Sequence, residues 1–131
     1  MFKEHRAPGR QRCDRRLAVA CIAASTGAAV TGPIGPGGPD ASGRRHHGLP
    51  RAGCSVLTAT SAALADIRGK ATADGMVVVD MPRSAQTSRI YDVYLAELAE
   101  TKPADLAVSA VSIIGPRDEL SRLVRNLSVL R

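Results

Sequence analysis

The stretch "GMVVVDMPRSAQTSRIYD", residues 75–92, decides the fold, because it places a strand, a polar loop and a helix in close succession. Residues 76–80 form a short run rich in valine, which is typical of a strand covered on both faces. Pro82 ends this run, since proline cannot donate a hydrogen bond to a sheet ladder. Ser88 can then cap a helix over about 89–100. The stretch therefore predicts one strand-to-helix unit of an α/β protein.

The same alternation extends along most of the chain. Strands alternating with helices at this spacing indicate an α/β layered domain. We therefore expect a three-layer sandwich, with a mixed sheet and helices on both of its faces. The other predicted elements are a helix over 15–29, a strand over 54–59, a helix over 62–73, a strand over 106–114 and a last helix after Pro116.

Local signals mark several element ends. Thr60 or Ser61 can cap the second helix, and Gly75 suits the left-handed position that follows it. The segment 31–53 is too rich in Gly and Pro for a regular helix, but "DASG" within it suggests a turn flanked by a short hairpin. The helix over 15–29 is apolar on nearly all faces, so we expect it to be well buried.

Apolar residues at helical spacing predict the buried faces of the other helices. The predicted inward-facing residues are Ala63, Leu64, Ile67 and Ala71 in the second helix, Ile90, Tyr91, Tyr94, Leu95 and Leu98 in the third, and Leu120, Leu123, Val124 and Leu127 in the last.

The composition supports one core and a reducing compartment. The chain has 131 residues, 44% of them hydrophobic, with one Phe, two Tyr and no Trp, so its core must be built from Ala, Val, Leu and Ile. Three cysteines without a C-x-x-C pair or metal spacing argue against a disulfide framework. We therefore predict a cytoplasmic protein.

The run over 15–30 has features of a secretory signal, but no convincing cleavage site follows it, and it is too short to span a bilayer.

Positive charge is concentrated in the first part of the chain. Residues 1–53 hold nine Lys and Arg against three Asp and Glu, whereas residues 54–131 hold nine of each. We predict that residues 1–14 are an irregular basic arm and that residues 15–131 form a single α/β domain. The arm is either a solvated face or a means of attracting RNA or another anionic partner.

The predicted strand ends at Asp80, where open α/β sheets tend to place ligands. Two interpretations stay open: a carboxylate that acts as a general base, or a loop-start aspartate that bonds the backbone of residues 82–84. His46 and His47 are adjacent rather than four residues apart, so we predict no metal site and no cofactor.

Two segments give the chain a family resemblance. "MVVVDMPRSAQTSRIYDVY" (76–94) and "SIIGPRDELSRLVRNLSVLR" (112–131) resemble the bacterial family called domain of unknown function two thousand. Its members carry a D-x-P-x-x-A-Q-T segment and a strand–G-P–helix close. The resemblance covers roughly residues 15–131, and "PDASGRRHHGL" (39–49) is similar to a looser stretch of the family.

That family is similar in fold to type 2 peptidyl-tRNA hydrolases, which implies a mixed sheet between helices. The hydrolases have a strand ending in D-A-G-R-T-Q, and this loop is matched with one residue inserted and with Pro82 in place of glycine. The resemblance implies candidate catalytic residues and candidate substrate-binding residues. The former are Asp80, Gln86 and Thr87, and the latter are Arg16, Arg83 and Ser84.

Two departures from the hydrolase pattern bear on function. The first helix of those enzymes carries K-x-x-x-Q-x-x-H-A, for which this chain has Arg16, Ala20 and Ala23. An arginine stays charged and does not perform the proton chemistry of a lysine. The family also opens with an apolar strand, and residues 1–14 offer only Met1 and Phe2 as large apolar groups; a missing strand would leave a sheet edge open to association.

We therefore expect a non-catalytic module that binds a ligand or associates with itself. The alternative is a hydrolase-like enzyme that acts through the Asp80 loop on an RNA-linked or other anionic substrate. The expected partners are a second copy of the chain and RNA or a small anionic ligand, with no membrane.

Overall fold

The computed structural model describes residues 15–30, 32 and 34–130, with the first two side chains of the opening helix left out. The described residues form five α-helices: Arg15–Ala29 (α1), Ser61–Ala73 (α2), Arg83–Thr87 (α3), Tyr91–Glu100 (α4) and Arg117–Val124 (α5). They form six strands: Gly38–Pro39 (β1), Arg45–His46 (β2), Leu57–Thr58 (β3), Val77–Pro82 (β4), Val108–Ile114 (β5) and Ser128–Val129 (β6). The protein is therefore mixed α/β. The predicted arm over 1–14 lies outside the described residues.

The longest ladder joins β4 and β5, which pair antiparallel from Val77 opposite Ile114 to Met81 opposite Ala110. Both strands are rich in β-branched residues, which suit a pleated surface. An irregularity follows Met81 and lets Pro82 enter the strand end opposite Val108. Both α1 and α2 pack against β4 and β5.

The core is small and lies where these two helices meet the ladder. Its buried hydrophobic residues are Ala18, Ile22, Ile67, Ala71 and Val108. Ala18 and Ile22 are four residues apart on α1, as are Ile67 and Ala71 on α2, so each helix buries one stripe. The alanines allow close approach of the helix to the strands.

Several local predictions are confirmed. The side chain of Thr60 caps α2 by accepting a hydrogen bond from the backbone N–H of Ala63 at 3.2 Å. Gly75 follows the helix with a φ of +72°, a conformation that glycine adopts without strain. The first helix spans Arg15–Ala29, as predicted.

The predicted mixed sheet is not what the described strands form. All three ladders, β1 with β2, β3 with β6 and β4 with β5, are two-stranded and antiparallel. The predicted strand over 54–59 pairs only at Leu57–Thr58, opposite Ser128–Val129 near the end of the chain. The Gly- and Pro-rich segment before it supplies few residues that can continue a ladder.

The predicted helix over 89–100 begins later. Ser88 does not cap it: its backbone N–H donates to the carbonyl of Ser84 at the end of α3, and its hydroxyl donates to Oε2 of Glu97 at 3.2 Å. Tyr91 opens α4, with Ile90 at the N-cap. The short helix α3 therefore occupies the segment that was predicted to be a loop, and the N-cap of α4 lies at Ile90 rather than at Ser88.

The expected burial of α1 is also wrong. Leu17 is 61% exposed, and most of the helix surface is open. A helix that packs on a two-stranded ladder buries one stripe only, so an apolar composition on every face does not make it fully buried.

Ile67 should be the most sensitive core position of α2, because it is 7% exposed between the helix and the ladder. We expect Ile67→Ala to lower the free energy of unfolding by about 2–4 kcal/mol, through lost burial and a residual cavity. Leu49→Ala is the matched control, since Leu49 is 78% exposed, and it should change stability by less than about 0.5 kcal/mol. Urea denaturation followed by circular dichroism measures both, and equal effects would contradict this core.

The hairpin of β1 and β2 is held by Asp40, as the "DASG" turn predicted. Its Oδ1 accepts hydrogen bonds from the hydroxyl of Ser42 at 2.6 Å and from the backbone N–H of Ser42 at 2.9 Å. Its Oδ2 lies 3.0 Å from Nε2 of His46, and the backbone N–H of Arg44 also donates to Oδ1. The hydrogen bonds from Ser42 and His46 lower the pKa of Asp40 from its ordinary 3.8 to about 2.

Because the pKa of Asp40 is lower in the folded hairpin, its contribution to stability is complete above about pH 4. We expect that contribution to be lost as the pH falls from about 4 to about 2. The backbone amide NMR signals of Ser42 and Arg44, followed against pH, measure this. Asp40→Asn keeps an acceptor oxygen without the charge and should remove the dependence; a variant that shows the same transition would contradict the role of Asp40.

Candidate functional site

Asp80 lies on β4, directly opposite Val111 on β5, and is half-buried. Residues that are directly opposite in an antiparallel pair point to the same face of the ladder, and alternate residues of a strand share a face. Val111 therefore lies on the same face as Asp80, whereas Ser109 has no partner on β4 because the register shifts between Met81 and Pro82. Arg68 of α2 contacts Asp80, which places α2 over this face.

The carboxylate of Asp80 is held by Arg68 in a bidentate ion pair. Nε of Arg68 donates to Oδ1 at 2.8 Å and to Oδ2 at 2.9 Å, and Nη2 donates to Oδ2 at 2.6 Å. The two side chains are 32% and 20% exposed, so the pair is partly shielded from water. The hydrogen bond from the guanidinium to Asp80 raises the pKa of Arg68. The fork geometry of arginine fits both carboxylate oxygens at once.

Sequence reasoning missed Arg68, and neither interpretation of Asp80 included it. The carboxylate bonds to a side chain of the preceding helix rather than to the backbone of residues 82–84. One signal was available: Arg68 adjoins Ile67 on the side of α2 that carries the buried stripe. A charged residue beside a buried stripe is rarely unpaired, so a carboxylate on the neighbouring strand was the natural partner.

Gln86 of α3 contacts β5 through its side chain. Its Oε1 accepts a hydrogen bond from the hydroxyl of Ser109 at 2.6 Å. Two of the predicted catalytic residues, Asp80 and Gln86, thus each join a helix to the ladder, and we call Asp80 with Arg68 the Asp80 patch.

Tyr94 of α4 also borders this patch. Burial, with the nearby Tyr91 and the charge of Asp80 as smaller contributions, raises the pKa of Tyr94. The rings of Tyr91 and Tyr94 lie 5.5 Å apart between centroids and are tilted by 55°. Tyr94 was predicted only as a core residue, because its helical spacing carried no sign of the distant carboxylate.

The other predicted site residues make local contacts. The hydroxyl of Thr87 donates to the carbonyl of Ser84 at 3.1 Å, a bond within α3. Arg83 is exposed, and its backbone N–H donates to the carbonyl of Ala107 at 2.9 Å, which ties α3 to the segment before β5. Arg16 belongs to α1, but its side chain lies outside the described residues.

A groove of about 800 Å³ lies between α2 and α5, and Asp80 does not line it. Its walls carry both signs of charge, from Asp66, Lys70, Glu119 and Arg122 among others. In the part of the chain that the structure describes, no helix is long and apolar enough to cross a membrane. A cytoplasmic location stays a prediction.

The Arg68–Asp80 pair should contribute measurably to stability. We expect Asp80→Asn to lower the free energy of unfolding by about 1–2 kcal/mol, because Arg68 loses its counter-charge at a partly shielded site. Asp66→Asn on the same helix is the matched control. This variant breaks the ion pair between Asp66 and Lys70, in which the side chain of Lys70 is 60% and that of Asp66 59% exposed. It should lower the free energy of unfolding by less than about 0.5 kcal/mol.

Chemical denaturation of the two variants and of Arg68→Lys measures this difference. Lysine keeps the charge but loses the bidentate fork, so its effect should lie between those of the two Asn variants. A stability of Asp80→Asn equal to or above that of the parent chain would contradict the proposed contribution.

The fold of this chain recurs in a solved structure of a protein of unknown function from Agrobacterium tumefaciens. The two share 15% sequence identity with a TM-score of 0.77, over 92% of this chain and 90% of that chain. At this identity the likeness shows the fold alone. No curated protein matches the chain. The sequence pattern of one family matches residues 16–131, a span that includes the β4–β5 ladder, α2 and the Asp80 patch. The chain therefore belongs to the family described as protein of unknown function (DUF2000).

Proposed function

We propose that this protein is a non-catalytic module that keeps a type 2 peptidyl-tRNA-hydrolase-like fold. The bidentate pair between Arg68 and Asp80 carries this proposal. A general base must accept a proton from the substrate through a lone pair that is directed at it. Both oxygens of Asp80 accept hydrogen bonds from Arg68, so the carboxylate already serves as the counter-charge that ties α2 to β4.

The first helix supports the same conclusion. At the positions where the hydrolase pattern has glutamine and histidine, α1 has Ala20 and Ala23, and both are exposed. A methyl group has no polar atom with which to bind a substrate or move a proton. The packing of α1 and α2 against the same two strands is consistent with the proposed sandwich of helices around a sheet.

The ligand that best fits the module is a small anion. Arg83, the first residue of α3, and Arg89, two residues after the end of α3, are both exposed. Neither forms an ion pair within the described residues. Unpaired guanidinium groups bind phosphate and carboxylate groups in a bidentate geometry. A small anion could contact these side chains while the Arg68–Asp80 pair stays intact.

One observation favours the alternative of a hydrolase-like enzyme. Asp80 lies near the end of β4, and Gln86 lies on the short helix α3 that follows it, so two candidate catalytic residues come from one strand–helix junction. An RNA-linked or other anionic substrate would then be hydrolysed at this junction.

Two assays on the full chain separate these functions. We expect no hydrolysis of N-acetylated aminoacyl-tRNA above the uncatalysed rate, and a thermal shift with inorganic phosphate that Arg83→Ala reduces. Arg125→Ala removes another exposed arginine and should leave the shift unchanged. Hydrolysis that Asp80→Asn abolishes would overturn the proposal in favour of the enzyme. Tight tRNA binding that weakens steeply with salt would replace the small anion by RNA.

A further inference from the structure

The apolar face of α4 is largely uncovered. Ile90, Tyr91, Tyr94, Leu95 and Leu98 recur at helical spacing and share one side of the helix, which is the pattern of a buried stripe. Of these, Tyr94 and Leu98 are half-buried, whereas Ile90 is 62%, Tyr91 71% and Leu95 44% exposed.

The described fold explains why this face stays open. The helix packs chiefly against α3, which is only five residues long. From these exposed fractions Ile90, Tyr91 and Leu95 present a few hundred Å² of mainly apolar surface. A contiguous patch of a few hundred Å² is typical of an interaction site.

We propose that this face, defined by Ile90, Tyr91, Tyr94, Leu95 and Leu98, binds the same face of a second copy of the chain. The inference rests on the proposed function, since it assigns self-association to a non-catalytic module. In a two-fold dimer the same surface of each copy forms the interface, so the apolar face of one copy contacts the apolar face of the other. The two α4 helices then cross antiparallel, which also opposes their dipoles.

The charges around α4 favour the antiparallel arrangement. Arg89 lies just before the helix and forms no ion pair within the described residues. Glu97 lies near the opposite end of α4 and beside the apolar face. An antiparallel pair brings Arg89 of one copy toward Glu97 of the other, twice over. Glu100 projects away from the apolar face by helical spacing, whereas Asp92 borders the edge of the face opposite to Glu97.

The patch is small for a stable dimer. A standard stable interface buries about 800 Å² on each partner, more than this face offers. We therefore expect a weak and reversible dimer that forms only at high protein concentration.

The chain carries its own reporter of this contact. It has no Trp and two Tyr, and both tyrosines are on α4. Tyrosine fluorescence therefore comes from the proposed interface alone. Quenching by acrylamide should become weaker as the protein concentration rises from about 1 to about 200 µM, while sedimentation velocity detects a shift from monomer to dimer over the same range.

Matched variants test where the contact lies. Leu95→Glu should weaken dimerisation at least tenfold, whereas Leu49→Glu, at another exposed leucine, should leave it unchanged. Arg89→Glu should weaken it by about threefold to tenfold, and adding Glu97→Arg should restore most of the loss. Arg125→Glu is the control for charge alone.

A monomer at every concentration would overturn the inference. So would a dimer that Leu95→Glu and Leu49→Glu affect equally, because the contact would then lie elsewhere, such as at a strand edge. None of these measurements uses tRNA or phosphate, so dimerisation can fail while the non-catalytic proposal stands.

Discussion

The antiparallel pairing of β4 and β5 is the interaction on which the rest of the structure depends. It joins two β-branched runs that are more than twenty residues apart, and it gives α1 and α2 a common surface to pack on. The backbone groups along the inner edges of the two strands satisfy one another, which allows apolar side chains to be buried beside them. Asp80 also lies on this surface. A half-buried carboxylate is unfavourable in free energy unless a partner group satisfies it. Arg68 on the covering helix is that partner.

Asp80 thus has a structural role that neither interpretation from the sequence included. Its ion pair connects β4 to α2 and orients the helix on the ladder. Gln86 connects α3 to β5 in a similar way through Ser109. The D-x-P-x-x-A-Q-T segment, which resembles a catalytic loop, therefore also works as a set of ties between elements. A loop can keep this chemistry-like pattern for packing, without the helix residues that the hydrolase pattern requires.

A narrow ladder has a further consequence for the surface. Two strands offer less area than the apolar faces of the surrounding helices could cover, so buried stripes on α1 and α2 leave other apolar residues in water. Leu17 on α1 and Tyr91 on α4 are examples. Association with another copy removes such surface from water without enlarging the core. The small core and the proposed dimer are in this sense two results of one constraint.

Local sequence alone determined the helices and their ends where the signal acts within one turn. Thr60 caps α2, Gly75 follows it, and Asp40 organises the turn of the hairpin, because each of these contacts spans only a few residues. The β-branched runs likewise predicted β4 and β5.

Only the tertiary structure decided which strands pair and which charges meet: β3 joins β6 across about seventy residues, and Arg68 reaches Asp80 across the space between a helix and a strand. Each strand or charge has many possible partners elsewhere in the chain. Packing and burial in the folded protein select among these partners, and the neighbouring residues in sequence do not. The same selection leaves α4 open, although its spacing alone predicts a buried helix.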